Sequence, residues 1–243
     1  MKCIVLCSDN KNINFNTNKN IPRTLMKIND EKRIIDYILK ASSKVDEIDE
    51  IILVSNNTHF EALKKWSQNL SYLKPINVLN DTTNNVNEKL GAMGDIQYVI
   101  NYFDIKDDLL IIFGDNIFDF ELDEIVKKSK SKNISYIGVM KEEEKENLKD
   151  FGIIKIGDNK QVLDFTEKPN DPEDNNISLG IYVLAKEAIP YMKFYLEEGN
   201  KVDAPGYFIK YLTKYKPVLT HEFIGNFVDV NTEKDLEKAK NIF

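Results

Sequence analysis

Between residues 2 and 113, short uninterrupted apolar runs alternate with amphipathic stretches, and this alternation constrains the fold more than any single motif. Residues 2–6, 50–55, 76–79 and 109–113 are apolar on both sides of an extended chain. The stretches between them place apolar residues at helical spacing: Ile34, Ile35, Ile38 and Leu39 in 33–42; Phe60, Leu63, Trp66 and Leu70 in 59–70; Ile96, Val99, Ile100 and Phe103 in 93–103. A strand without a polar face needs cover on both sides, and strands separated by helices run parallel. The pattern therefore predicts an α/β fold with a doubly wound, mostly parallel sheet. In such sheets ligands bind beyond the carboxyl ends of the strands, so the loops of interest are 8–20, 81–94 and 114–119.

After residue 119 the pattern changes. A helix is expected over 122–130, then strands over 135–140, 152–156 and 162–167, with Gly157-Asp158-Asn159 as a hairpin signal. A further strand at 180–184, helices at 186–196 and 207–214, and strands at 218–224 and 226–230 follow. Thr232 caps a closing helix over 233–241. This is a small mixed β part joined to the parallel half. The charge run 141–149 reads as a solvated helix or loop. No repeat or linker interrupts the chain, so one domain is expected over 1–243.

Composition excludes several function classes. The 243 residues carry a net charge of −7, and an acidic chain is a poor general binder of nucleic acid. Cys3 and Cys7 fall on one face of the first strand and read as small core residues. Four positions apart along an extended chain, they are too distant for a disulfide. With only His59 and His221 elsewhere, a Cys/His metal site is not expected. The first apolar run is too short for a secretory leader and no run is long enough to span a bilayer, so a cytoplasmic location without membrane attachment is expected.

Isolated chemistry-bearing residues say little, but their order does. Asp115 follows Gly114 at the end of an apolar strand, and Asp229 lies inside a second apolar run; two such carboxylates suit Mg²⁺ shared with phosphate oxygens. Glu167-Lys168-Pro169 ends another strand. Along the chain, Met1-Lys2-Cys3-Ile4-Val5-Leu6, Asn20-Ile21-Pro22-Arg23-Thr24-Leu25-Met26, Asn87-Glu88-Lys89-Leu90-Gly91-Ala92-Met93-Gly94-Asp95 and the run 110–120 stand in sequence. They are followed by Phe151-Gly152-Ile153, Glu167-Lys168-Pro169, Gly180-Ile181-Tyr182, Ala204-Pro205-Gly206-Tyr207 and the run 225–232. Taken together these resemble the sugar-1-phosphate nucleotidyltransferases, the glucose-1-phosphate thymidylyltransferase-like family, over essentially the whole chain.

The resemblance implies a Rossmann-like nucleotidyltransferase fold, with a nucleotide-binding half at 1–120 and a sugar-phosphate-binding half at 121–243. It implies a nucleoside triphosphate and a sugar-1-phosphate as partners, with nucleotide-sugar and pyrophosphate as products. Carried over by position, Asp115 and Asp229 would hold Mg²⁺, and Leu6, Gly91 and Asp115 would line the nucleotide site. Gly152, Glu167, Lys168 and Gly180 would line the sugar-phosphate site. Arg23 and Lys11 would share the neutralising, catalytic role. A homodimer through the exposed faces of 186–196 and 207–214 stays open.

The first loop departs from the family's pattern. Where the family has two glycines and an Arg, this chain has Asp9, Lys11 and Ile13. An Asp about 4 Å from a phosphate charge costs on the order of 4 kcal/mol at an effective dielectric near 20, and a lost arginine removes stabilisation of the leaving group. Arg23 stands where the family has Lys, Phe227 where it has Trp, and Asn231 where it has Gly. The residues thus permit two classes: an active nucleotidyltransferase, or a catalytically impaired homologue that binds nucleotide or sugar phosphate as a regulatory or scaffolding protein. A metal-dependent glycosyltransferase fits less well, because the strand-end motif Gly114-Asp115-Asn116 carries one acid only.

Overall fold

A computed structural model describes residues 1–8, 21–70, 72, 74–84 and 88–243. In chain order the first half contains β1 (Lys2–Leu6), α1 (Ile34–Ser43), β2 (Glu50–Ser55), α2 (Asn57–Ser67), β3 (Ile76–Asn80), α3 (Gly91–Tyr102) and β4 (Leu109–Phe113). The second half contains β5 (Asn116–Phe118), α4 (Asp123–Lys132), β6 (Ser135–Lys141), α5 (Lys145–Leu148), β7 (Gly152–Ile156), β8 (Val162–Glu167) and β9 (Asn176–Leu184). It closes with α6 (Ile189–Glu197), α7 (Pro205–Leu212), β10 (Val218–Glu222), β11 (Phe227–Asp229) and α8 (Glu233–Ile242).

The main sheet runs in the order β10-β6-β9-β4-β1-β2-β3. β1 pairs in parallel with both β2 and β4, β2 with β3, and β6 with β10. β9 alone on this path is reversed, antiparallel to β4 and β6. The β7–β8 hairpin hangs from β9. The mostly parallel, doubly wound α/β sheet expected from the sequence is therefore present, and the mixed part is grafted through β9.

Period-2 alternation divides the central strands between two layers. Cys3, Val5, Ile51, Leu53, Leu110 and Ile112 pack with Ile35, Ile38 and Leu39 of α1 and Ile125 of α4. Ile4, Ile52, Val54, Leu109 and Ile111 pack with Ile96 and Val99 of α3, Met192 of α6 and Phe208 of α7. Both faces are covered, which is why the strands read as continuous apolar runs. The two cysteines are buried and unbridged, and burial pushes both thiols up to about 12, so they are inert core residues.

Several elements differ from the sequence expectation at their edges. β9 begins four residues earlier than 180, because residues 176–178 pair with β6, and Ile177 also with β7. The loop 114–119 contains β5, whose three residues pair antiparallel with β11. A three-residue strand gives no periodicity; it exists because a partner more than a hundred positions away completes its hydrogen bonds. α6 starts at Ile189 after a 3-10 turn at Lys186–Ala188, with Pro190 in its first turn, where a missing N–H costs nothing. β5, β11 and α8 share a third, smaller core built from Ile117, Val228, Val230 and Ala239 with Met26, Ile28 and Ile34.

Ile111 has no exposed surface, whereas Ile224 is 91% exposed. Ile111→Ala is expected to lower unfolding free energy by about 2–5 kcal/mol, and Ile224→Ala to leave it within about 0.5 kcal/mol. Urea denaturation followed by far-UV circular dichroism distinguishes the two.

Candidate active site

The chain steps outward from β1 to β2 and β3, then crosses back to place β4 on the other flank of β1. The carboxyl ends of β1 and β4 therefore open a crevice at the point where strand order reverses. A cavity of about 370 Å³ lies there. Leu6 and Ser8 enter it from the end of β1, Asp115 from the end of β4, and Asp229 from β11. Gly91 borders it at the first turn of α3; Gly152, Glu167, Lys168 and Gly180 border it from the grafted hairpin and β9. Every sequence-predicted site residue among the described ones thus lies on one cavity. Lys11, and the departures at Asp9 and Ile13, fall outside the described residues.

Local backbone chemistry explains how these positions meet. Gly152 pairs with Glu167 across the β7–β8 hairpin, so the two reach the cavity together. Lys168 follows with φ of 46°, a left-handed conformation that is costly for a side-chain residue, and its N–H donates to the Phe151 carbonyl at 3.1 Å. Gly180, inside β9, has a φ of 65°, and a Cβ there would sit 2.8 Å from the Phe113 ring. Gly91, with φ of 74°, serves a contact the sequence did not reveal. A Cβ at Gly91 would lie 2.6 Å from the Val202 carbonyl, which accepts from Met93 N–H at 3.0 Å. Its missing side chain lets α3 dock on the loop before α7.

Asp115 and Asp229 are brought together by the small sheet. Asp229 lies opposite Asn116 in register, and Val230 N–H donates to the Asp115 carbonyl at 3.0 Å. Arg23 sits in a 3-10 turn, buried at 6% exposure, and its guanidinium joins three groups. Nη2 lies 3.0 Å from Asp115 Oδ2, and Nη1 donates to the Val230 carbonyl and to Asn231 Oδ1, both at 3.0 Å. Its planar fork suits such a multiple contact in a way a Lys ammonium does not.

Among the described residues, six carboxylates border the cavity (Asp95, Asp115, Asp150, Glu167, Asp203 and Asp229) against three cations, Arg23, Lys89 and Lys168. Two of those cations are held by acids of the same rim, Arg23 by Asp115 and Lys89 by Asp203 at 2.6 Å. The described wall is therefore electronegative, and a phosphate-bearing ligand needs further positive charge. Among the described residues, no cluster of three or more His, Cys, Asp or Glu side chains is arranged to hold a metal on protein ligands alone. Two hard carboxylates with the rest of the shell left to phosphate oxygens and water is the habit of Mg²⁺, so Asp115 and Asp229 fit such an ion.

At the α3 end of the cavity, Asp95 is 2% exposed and lies against Asp81, itself 1% exposed. Asp81 accepts from Ser8 Oγ at 3.0 Å and from Thr83 N–H and Oγ1 at 2.7 and 2.8 Å. Asp95 Oδ1 is sealed from solvent without a hydrogen-bond partner among the described residues. Burial, and then the charge of Asp81, push the Asp95 carboxyl up to about 8, against the opposing pull of a hydrogen bond from Ser8.

The family model for nucleotidyl transferases matches residues 17–242. The chain belongs to the nucleotidyl transferase family. Among curated proteins it is 23% identical, over 212 residues, to a Sulfolobus acidocaldarius protein assigned as a mannose-1-phosphate guanyltransferase, covering 84% of this chain. This chain spans about half of that relative, 52% of its length. Among solved structures, a Bacillus anthracis protein assigned as a glucose-1-phosphate thymidylyltransferase superposes with a TM-score of 0.82 at 17% identity, over 99% of this chain and 94% of the other. A UDP-glucose pyrophosphorylase crystallised with UDP-glucose superposes at 0.80 and 15% identity, over 99% and 97%. At such identities the superpositions establish the fold. No helix among the described residues is long and apolar enough to cross a membrane.

For this family member the sequence reading missed two features of the site. Asp95 was visible only as the last letter of a motif, and nothing local signals that Asp81, fourteen positions earlier, faces it. Asn231 stood as a mild departure, yet it accepts from Arg23, so two departures from the family pattern touch each other.

Asp95 yields a signed pH prediction. The folded chain holds a proton that the unfolded chain releases near the ordinary carboxyl value, so stability falls as pH rises from about 4 to about 8. The slope contributed by this group is at most about 1.4 kcal/mol per pH unit. Asp95→Asn, which keeps a donor toward Asp81, is expected to flatten that slope and raise the melting temperature at pH 8. Thermal melts at pH 5, 6.5 and 8 test this, and an unchanged slope in the variant would remove the assignment.

Proposed function

We propose that this chain joins a nucleoside triphosphate and a sugar-1-phosphate to give a nucleotide-sugar and pyrophosphate, with Mg²⁺ as cofactor. The observation that carries this reading is convergence: residues from the two sequence halves, Leu6, Gly91 and Asp115 from one, Gly152, Glu167, Lys168 and Gly180 from the other, border a single cavity of about 370 Å³. In this reading residues 1–120 hold the nucleotide and 121–243 the sugar phosphate, within one cytoplasmic domain.

In the reaction, an oxygen of the sugar phosphate attacks the α-phosphorus, a new P–O bond forms there, and the bond to the β-phosphate oxygen breaks to release pyrophosphate. The protein needs no covalent participation; it aligns the two phosphates and stabilises charge. Leu6 and the α3 end of the cavity seat the nucleoside, while Glu167 accepts from sugar hydroxyls and Lys168 meets the sugar phosphate. Asp115 and Asp229 hold the cofactor, which when bound screens the charge of the reacting phosphates. Lys11 and Arg23 are assigned to charge neutralisation.

A second reading is favoured by one specific observation, the surplus of carboxylates over cations on the described wall. Such a wall grips a triphosphate weakly, which suits a homologue that binds nucleotide or sugar phosphate and regulates a partner.

Pyrophosphate release with Mg²⁺, using four ribonucleoside triphosphates and dTTP against a panel of sugar-1-phosphates, separates the two. Turnover with any pair is the expected outcome and names the substrates. Silence across the panel, with nucleotide-sugars still raising the melting temperature, would replace the enzyme by the binding protein. Asp115→Asn is expected to lower turnover by at least about a hundredfold, the scale of losing a main electrostatic stabiliser. Asp9→Gly with Ile13→Arg is expected to raise turnover, and no gain would show that the first loop is not limiting.

A further inference from the structure

Beyond its assignment to charge neutralisation, Arg23 is placed to act on Asp115. Its guanidinium is buried and engaged on three sides by protein acceptors: Asp115 Oδ2, the Val230 carbonyl and Asn231 Oδ1, each at 3.0 Å. Arg23 enters from the turn following the first loop, and Val230 and Asn231 follow β11, so the contact ties the two ends of the chain to the tip of β4. The two residues that depart from the family's Lys and Gly are partners in this contact, and the Asn oxygen gives the larger guanidinium an acceptor that a Gly lacks.

We propose that Arg23 is a built-in counter-cation for Asp115, with which a divalent metal must compete, so that this residue sets the strength of metal binding. The physical reason is direct. A cation on Asp115 shares that carboxylate with a guanidinium already in contact at 3.0 Å, and like charges at such separations repel strongly in a partly buried site. The Arg is always charged, so the guanidinium keeps its positive charge while a metal approaches the same carboxylate. Metal then binds weakly by itself and more strongly when phosphate oxygens bring further negative charge to the cavity. In this role Arg23 is a positioning residue acting through Asp115. The inference rests on the reading that Asp115 is a metal ligand.

The test is Mn²⁺ binding to the full chain, measured by electron paramagnetic resonance of free Mn²⁺ without nucleotide, for the parent, Arg23→Gln, Arg23→Lys and Asp115→Asn. Arg23→Gln is expected to bind Mn²⁺ about tenfold or more tightly than the parent, and Arg23→Lys to return toward the parent value because the charge is restored. A residue with a merely structural role would weaken metal binding or leave it unchanged when removed, and either result in a folded Arg23→Gln overturns the proposal. Mn²⁺ binding unaltered by Asp115→Asn would instead overturn the metal assignment itself, and this proposal with it. Should Arg23→Gln fail to fold, Mg²⁺ titration of the parent serves: the Arg23 guanidinium ¹H–¹⁵N resonances are expected to shift as metal loads. Resonances that stay fixed while Asp115 signals move would refute the competition.

Discussion

The structure depends on β1 being hydrogen-bonded in parallel on both flanks, to β2 on one side and β4 on the other. That double pairing leaves β1 without a free edge, and with helices on both faces its central residues Cys3, Ile4 and Val5 are fully buried. It also forces the chain to reverse direction across the sheet after β3, and the reversal splays the loops that leave β1 and β4. The cavity is the geometric consequence. β9 enters on the outer flank of β4 with opposite polarity, and this single reversed strand carries the β7–β8 hairpin to the rim. The two halves meet at a cleft without requiring a separate interface.

The electrostatics of that cleft follow from two networks with opposite logic. At the α3 end, Asp81 and Asp95 face each other out of water, and one proton relieves the repulsion. At the strand tips, Arg23 relieves the charge of Asp115 by a fixed cation instead. The first device is a proton, and the second is a fixed guanidinium charge. Both remove negative charge from the cavity wall, one through a group that bonds Ser8 and the other from the turn at Arg23–Leu25.

Much of this was legible in the sequence, and the reason is locality. Strands β1 to β4 and helices α1 to α3 were readable because burial on one or two faces imposes periods of 2 and 3.6 on the residues themselves. The candidate site residues were readable because short motifs end strands, and strand ends are where this topology opens. β5 and β11 were harder: each is three residues long, and each exists only through the other. The early start of β9 was hidden for the same reason, since residues 176–178 find their partners on β6 and β7.

The sequence by itself determined the layered α/β architecture, the family, and a subset of the residues that border the cavity. Those properties are written in periodicity and in ordered motifs, which neighbouring residues specify. Only the tertiary structure decided which of those residues touch. Arg23 and Asn231 are 208 positions apart, Gly91 meets the Val202 carbonyl, and Asp95 shares its burial with Asp81. A sequence fixes what charge a side chain carries, but the partner that charge finds depends on how sheet order and helix docking bring distant segments within hydrogen-bonding distance.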